Sequence, residues 1–122
     1  TYTTLDSPII NQVTTGIPNL TDQTFNITGT WGAVSNSTGY NIILTYPNGQ
    51  TQDASVTTTD HAFTGLSQVG VFNYSVNALG NKGGNNIQNA YFDSQYSTSG
   101  IFVVYNELLT HSTSFLNQIT IL

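Results

Sequence analysis

The chain has 122 residues, 38% of them hydrophobic, with one basic residue, Lys82, six acids and a formal charge of −5. Charged residues make up 6%, and Thr, Asn, Ser and Gln fill 53 positions, where an ordinary globular domain is about 25% charged. One Lys and no Arg cannot neutralise a run of phosphates, no apolar run is long enough to span a bilayer, and the absence of Cys removes disulfides and thiolate metal sites, which excludes nucleic-acid partners, membrane insertion and a cysteine framework.

The length suits one domain, and fourteen aromatics with many Val, Ile and Leu predict a folded core rather than disorder. The pattern is period two almost throughout. Residues 8–14 read as a first strand and 16–22 as a turn rich in Gly, Pro, Asn and Asp. In 23–31, Phe25, Ile27 and Trp31 share the inward face while Asn26, Thr28 and Thr30 point out. Gly29 falls on the inward face, where a missing side chain makes room for a large neighbour. Residues 39–46 put Tyr40, Ile42, Leu44 and Tyr46 on one face, and Pro47-Asn48-Gly49 predicts a tight two-residue hairpin. Residues 50–57 read as a polar edge strand, and 61–66 carry Phe63 and Leu66. Residues 71–78 alternate Phe72, Tyr74, Val76 and Ala78 inside with Asn73, Ser75 and Asn77 outside. A Gly/Asn loop spans 80–89, residues 90–97 are ambiguous, and 106–113 allow a short helical turn. Residues 101–105 and 115–122 are strongly β-prone.

This is an all-β pattern of short strands and turns, the signature of an antiparallel sandwich. Trp31, nine residues before Tyr40, together with Phe63-Thr64-Gly65-Leu66 and Phe72-Asn73-Tyr74-Ser75-Val76-Asn77-Ala78 followed by Gly80 and Gly83, resembles a fibronectin type III domain over residues 23–83. The resemblance implies an immunoglobulin-like sandwich whose core holds Phe25, Ile27, Trp31, Tyr40, Ile42, Leu66, Phe72, Tyr74 and Val76. Phe72 stands where the family usually has the tyrosine of its corner motif, so the corner's hydroxyl-to-backbone bond is absent. The family consists mostly of spacer and recognition modules, and the resemblance implies a fold without chemistry.

Candidate chemistry is sparse. The acids Asp6, Asp22, Asp53, Asp60, Asp93 and Glu107 are scattered and lie mostly in turns, where Asp serves as a local acceptor; a glycosidase needs two facing one cleft. Asp60-His61 reads as a surface loop before a strand, and His111 stands alone. Catalysis, cofactors and metals are therefore not expected; Ca²⁺ on Asn85, Asn86 and Asp93 is the weak exception, because that ion takes oxygen ligands. Tyr2, Tyr91, Phe92 and Tyr96 lie outside the core pattern, either packing a C-terminal extension or lining a carbohydrate or partner site.

The ends carry the remaining signal. The chain divides into an N-terminal segment 1–7, a sandwich 8–100 and a C-terminal β extension 101–122. The extension completes the chain's own sheet or a neighbour's, since an apolar strand left in solvent is an aggregation hazard. Strand donation through Tyr2, Leu5, Phe115, Ile119 and Ile121 would join copies head to tail into a homopolymer. Asn-x-Ser/Thr sequons at Asn19, Asn26, Asn36 and Asn73 are possible glycan acceptors in a secreted protein. The chain begins at Thr1, consistent with a removed signal peptide or an excised piece. A neutral hydroxyl and amide surface keeps its hydration at low pH, and in composition the chain is similar to surface filament subunits of acidophilic archaea, whose threads join by strand donation. Two expectations result: a subunit of an extracellular filament, or a fibronectin type III-like binding or spacer module of a secreted adhesin or carbohydrate-active protein.

Overall fold

Alternation of apolar and polar residues sets the strands in the computed structural model, which describes residues 2–82, 90–104 and 120–121. Among the described residues there are ten strands: β1 (Tyr2–Thr4), β2 (Ile10–Thr15), β3 (Phe25–Trp31), β4 (Ser37–Thr45), β5 (Thr51–Val56), β6 (Asp60–Leu66), β7 (Gly70–Gly80), β8 (Ala90–Phe92), β9 (Ser97–Val104) and β10 (Thr120–Ile121). Successive side chains of a strand face opposite ways, so Phe25, Ile27 and Trp31 of β3, Tyr40, Ile42 and Leu44 of β4, and Phe72, Tyr74, Val76 and Ala78 of β7 are all buried. With Phe63 and Leu66 of β6 and Ile101 and Val103 of β9 they form one core. No helix among the described residues is long and apolar enough to cross a membrane.

Two layers enclose this core. One sheet runs β2-β3-β6, and the other runs β10-β9-β7-β4-β5. All pairings are antiparallel except that of β10, which lies parallel to β9 with Thr120 opposite Val103 and Ile121 opposite Val104. A separate parallel pair joins β1 to β8, Tyr2 opposite Ala90 and Thr4 opposite Phe92. The Pro47-Asn48-Gly49 connection differs from the expected two-residue hairpin. The Gly49 N–H donates to Tyr46 O at 2.9 Å and the Tyr46 N–H to Gln50 O at 2.7 Å, and of the three loop residues Gly49 alone takes a positive φ, 92°. That is a three-residue loop, a type I turn closed by a left-handed glycine, because Pro47 has no N–H to close a two-residue loop against Gln50 while its fixed negative φ suits the first position of a type I turn.

Other expectations shift as well. Asp60 and His61 open β6 rather than lying in a loop. Strand β9 runs through the boundary drawn between residues 100 and 101 and pairs with β7 from Val76↔Ser97 to Gly70↔Val103. Ile101–Val104 therefore belong to the sandwich, since they complete the ladder that β7 leaves open. Asn77 is buried rather than outward. The connection after β8 covers it: Asn77 Nδ2 donates to Ser94 O at 3.2 Å, and the Ala78 N–H donates to Ser94 Oγ at 2.8 Å.

Two aromatic hydroxyls fix the layers. The Tyr74 ring fills the space over Gly29, where a Cβ would stand 2.3 Å from its Cε1 and Cζ atoms. Its hydroxyl reaches the opposite sheet and donates to His61 O at 2.8 Å. Phe72 does lack the corner hydroxyl, yet a different tyrosine two residues on ties the same strand to β6. Tyr40 accepts at Oη from the Val34 N–H at 3.0 Å and from Ser37 Oγ at 3.1 Å, which pins the β3–β4 loop. Its ring meets Trp31 edge-on at 5.5 Å.

Candidate functional site

The titratable residues among those described do not converge. Asp22 accepts from Asn19 Nδ2 at 3.0 Å in the β2–β3 turn. Asp53 stands on the edge strand β5, in register with Ile43. His61 rests its ring edge-on against Phe63 at 4.7 Å. Asp93 holds the Lys82 ammonium and accepts from the Gly80 N–H at 2.9 Å. The Lys82 bond first, and that N–H second, hold its carboxyl below the usual carboxylate range. Asp93 is thus committed to closing the end of β7. Asn85 and Asn86, its proposed companions for Ca²⁺, lie outside the described residues, as do Glu107 and His111. Among the described residues no three His, Cys, Asp or Glu side chains come together as a metal set.

A concave surface does form at one end. The segment after β1 and the β3–β4 loop wall a groove of about 360 Å³. Its floor is set by Leu5, which is buried and whose N–H donates to Phe92 O at 3.0 Å, and by the Gly32 N–H donating to Ile9 O at 3.0 Å. Asn36 ends the loop at φ 68°, a left-handed conformation that Asn tolerates. The lining is mixed: Thr3, Ser7, Ser35 and Asn36 bring hydroxyl and amide groups, Asp6 a carboxylate and Tyr91 a ring, while Ile9 and Val34 bring apolar surface. Donors, acceptors and one aromatic can bind a neutral polar ligand. One carboxylate without a second acid or an activated nucleophile offers no acid–base pair for hydrolysis.

Of the aromatics singled out in the sequence, Tyr91 lines this groove, while Phe92 and Tyr96 are exposed beside it in sequence. Tyr2 lies in β1. The residues proposed as strand donors are placed differently from one another. Leu5 packs into its own chain's core, Ile121 lies in β10 on its own chain's β9, and Phe115 and Ile119 lie outside the described residues. All four sequon asparagines, Asn19, Asn26, Asn36 and Asn73, are exposed. Asn19 Oδ1 also accepts from the Thr21 and Asp22 N–H groups at 3.0 and 3.2 Å.

Sequence reasoning missed the groove because β1 and β8 meet through a pairing of low sequence signal. The hydroxyl runs at residues 3–7 and 35–38 were the trace available. It also missed an outward patch on the larger sheet, where Val71 and Phe102 face each other across β7 and β9, 50% and 48% exposed.

No protein-family model matches the sequence, and no curated protein resembles it significantly. Among solved structures the chain is similar to the fn3 domain of human collagen alpha-1(XX) chain, with a TM-score of 0.52 and 18% identity over 80% of this chain and 84% of that one. It also overlaps the chitinase ChiW of Paenibacillus sp. str. FPU-7, a bacterial cell-surface-expressed multi-modular enzyme, with a TM-score of 0.45 and 21% identity over 82% of this chain. The chain spans 9% of that enzyme's length. The fold is a fibronectin type III-like β-sandwich.

Proposed function

We propose that the chain is a non-catalytic binding module of an extracellular protein, a fibronectin type III-like sandwich that offers its end groove to a neutral, hydroxyl-rich ligand such as an oligosaccharide. The observation that carries this reading is the lining of the groove: hydroxyl and amide groups from two backbone segments, one carboxylate and one tyrosine ring, set beside the apolar Ile9 and Val34. Sugars carry both hydroxyls and carbon-rich ring faces, and a cleft that combines hydrogen-bonding groups with an aromatic ring and apolar surface suits both. The near-absence of charge supports an extracellular setting, because hydration of Thr, Ser and Asn does not depend on ionisation.

The filament reading rested on spare strands at the ends. Both terminal strands have partners within the chain, β1 on β8 and β10 on β9, and the solved structure that shares the fold is an fn3 domain. The module reading therefore has more support. It is tested by titrating isotopically labelled protein with a panel of neutral oligosaccharides and following amide shifts. Saturable shifts confined to Thr3–Ser7, Ala33–Asn36 and Tyr91 are expected. No shift at millimolar ligand would refute the binding role and leave a spacer.

A further inference from the structure

The outward face of the larger sheet carries an apolar pair next to a sequon. Val71 and Phe102 are register partners across β7 and β9, and the next outward pair along the ladder is Asn73 and Gly100. Large apolar side chains half exposed side by side on a sheet face invite association. Here Asn73-Tyr74-Ser75 is a sequon, Asn73 is exposed, and its partner has no side chain. A Cβ at Gly100 would stand 3.3 Å from Asn73 Oδ1, so the Asn73 amide leans over bare β9 backbone, toward the strand that carries Phe102.

We infer that Asn73 is an N-glycosylation site whose first sugar lies over Gly100 and covers the Val71–Phe102 pair. The inference rests on the extracellular part of the reading above and not on the groove. The transfer joins Asn73 Nδ2 to the anomeric carbon of an oligosaccharide carried on a lipid diphosphate. The bond from that carbon to the phosphate oxygen breaks, the lipid diphosphate leaves with the electron pair, and the amide gives up one proton. The reaction belongs to the unfolded chain. In the folded sheet the Ser75 hydroxyl is bonded to Thr98 Oγ1 at 2.7 Å, and the Asn73 backbone is held between β4 and β9. Once attached, the glycan lies on a strip with a gap at Gly100 and an apolar wall at Phe102, against which the carbon-rich face of a sugar ring packs.

The test is to secrete the chain behind a cleavable signal peptide from a mammalian cell line and to map occupancy by peptide mass spectrometry. The folded protein is then treated with a glycan-releasing amidase, and binding of a hydrophobic dye is measured before and after. Asn73 is expected to be occupied, and release of the glycan to raise dye fluorescence at least twofold. Phe102→Ser should keep the occupancy and abolish most of that rise. A bare Asn73 in the secreted protein overturns the site. An occupied Asn73 with no change in dye binding on release, or the same rise in Phe102→Ser, overturns the covering role. Occupancy at Asn19, Asn26 or Asn36 with Asn73 bare overturns the proposal and leaves the extracellular reading standing. That reading fails on a different observation, recovery of the native protein from inside its cell of origin.

Discussion

Gly29→Ala probes how the two sheets meet. The added methyl would stand 2.3 Å from two carbons of the Tyr74 ring and 2.8 Å from its hydroxyl oxygen, whereas carbon atoms rest about 3.5–4.0 Å apart. Something must therefore move by more than about 1 Å in a close-packed core. The ring cannot swing away freely. Its hydroxyl is tied to His61 O, and Phe63 and Trp31 stand 5.8 and 6.4 Å from its centroid. Overpacking of this kind costs about 1–3 kcal/mol, and a strained or lost tether adds about 1 kcal/mol. Ala in place of a strand glycine returns about 0.5–1 kcal/mol of backbone entropy. The expected net loss is about 2–3 kcal/mol, or about 10 °C in melting temperature for a domain of this size. Urea denaturation of Gly29→Ala, Tyr74→Leu and the double variant measures it. Tyr74→Leu alone leaves a cavity and costs about 2–4 kcal/mol. In the pair the new methyl enters space the ring has vacated, so the two losses should fall short of additive by more than about 1 kcal/mol. Strict additivity, or a Gly29→Ala protein within about 0.5 kcal/mol of the parent, would refute the steric account of Gly29.

Burial, ahead of the opposing hydrogen bond near Gly29, pushes the Tyr74 phenol well above its ordinary range. A raised folded-state pKa means that its contribution is whole below the unfolded value of about 10 and is lost at about 1.4 kcal/mol per pH unit above it; Tyr74→Phe should flatten the alkaline limb of a stability–pH curve, measured by urea titration at successive pH values. The Asp93 pKa is lowered, so the opposite sign applies: its contribution is present above the usual carboxylate range and disappears as pH falls through it. Asp93→Asn should remove that acid-side slope, while Lys82→Ala changes neutral-pH stability by less than about 1 kcal/mol, since the pair is exposed. Leu5→Ala should cost about 2–3 kcal/mol, in the low range for a buried leucine, and should broaden the amide signals of Thr3–Ser7 before those of β3 or β7. Sharp, unshifted signals there would show that Leu5 does not seat the groove wall.

The sandwich was legible because its inner strands obey a strict period. Phe72, Tyr74 and Val76 alternate without interruption, Phe25, Ile27 and Trp31 with one gap, and all are buried accordingly. Gly29 was legible for the same reason, as a gap in an inward series. What the sequence hid depends on contacts between residues far apart in the chain. Asn77 reads as outward by alternation, and its burial comes from Ser94, seventeen residues on. Three-residue strands such as β1 and β8 carry too few positions to establish a period, so the groove they help form left no pattern. The Asn48-Gly49 pair suggested a two-residue loop, but Pro47 has no N–H to close it, so Tyr46 donates to Gln50 O instead. The Val71–Phe102 patch needed register: each residue looks like an ordinary surface apolar side chain until the ladder sets them opposite one another.

The parallel pairing of β1 with β8 also bears on mechanics. A load drawn along the N-terminal segment acts on three rungs, Tyr2–Ala90, Thr3–Tyr91 and Thr4–Phe92, backed by the Leu5 N–H bond to Phe92 O and the buried Leu5 side chain. A pull along the strand axis shears these rungs together instead of parting them one at a time. The load then passes into the connection between β7 and β9, which Ser94 staples to Ala78 through both its N–H and its hydroxyl. Tension arriving at this end is therefore divided between β8, whose connection leads into the larger sheet, and the covalent continuation into β2 of the smaller one.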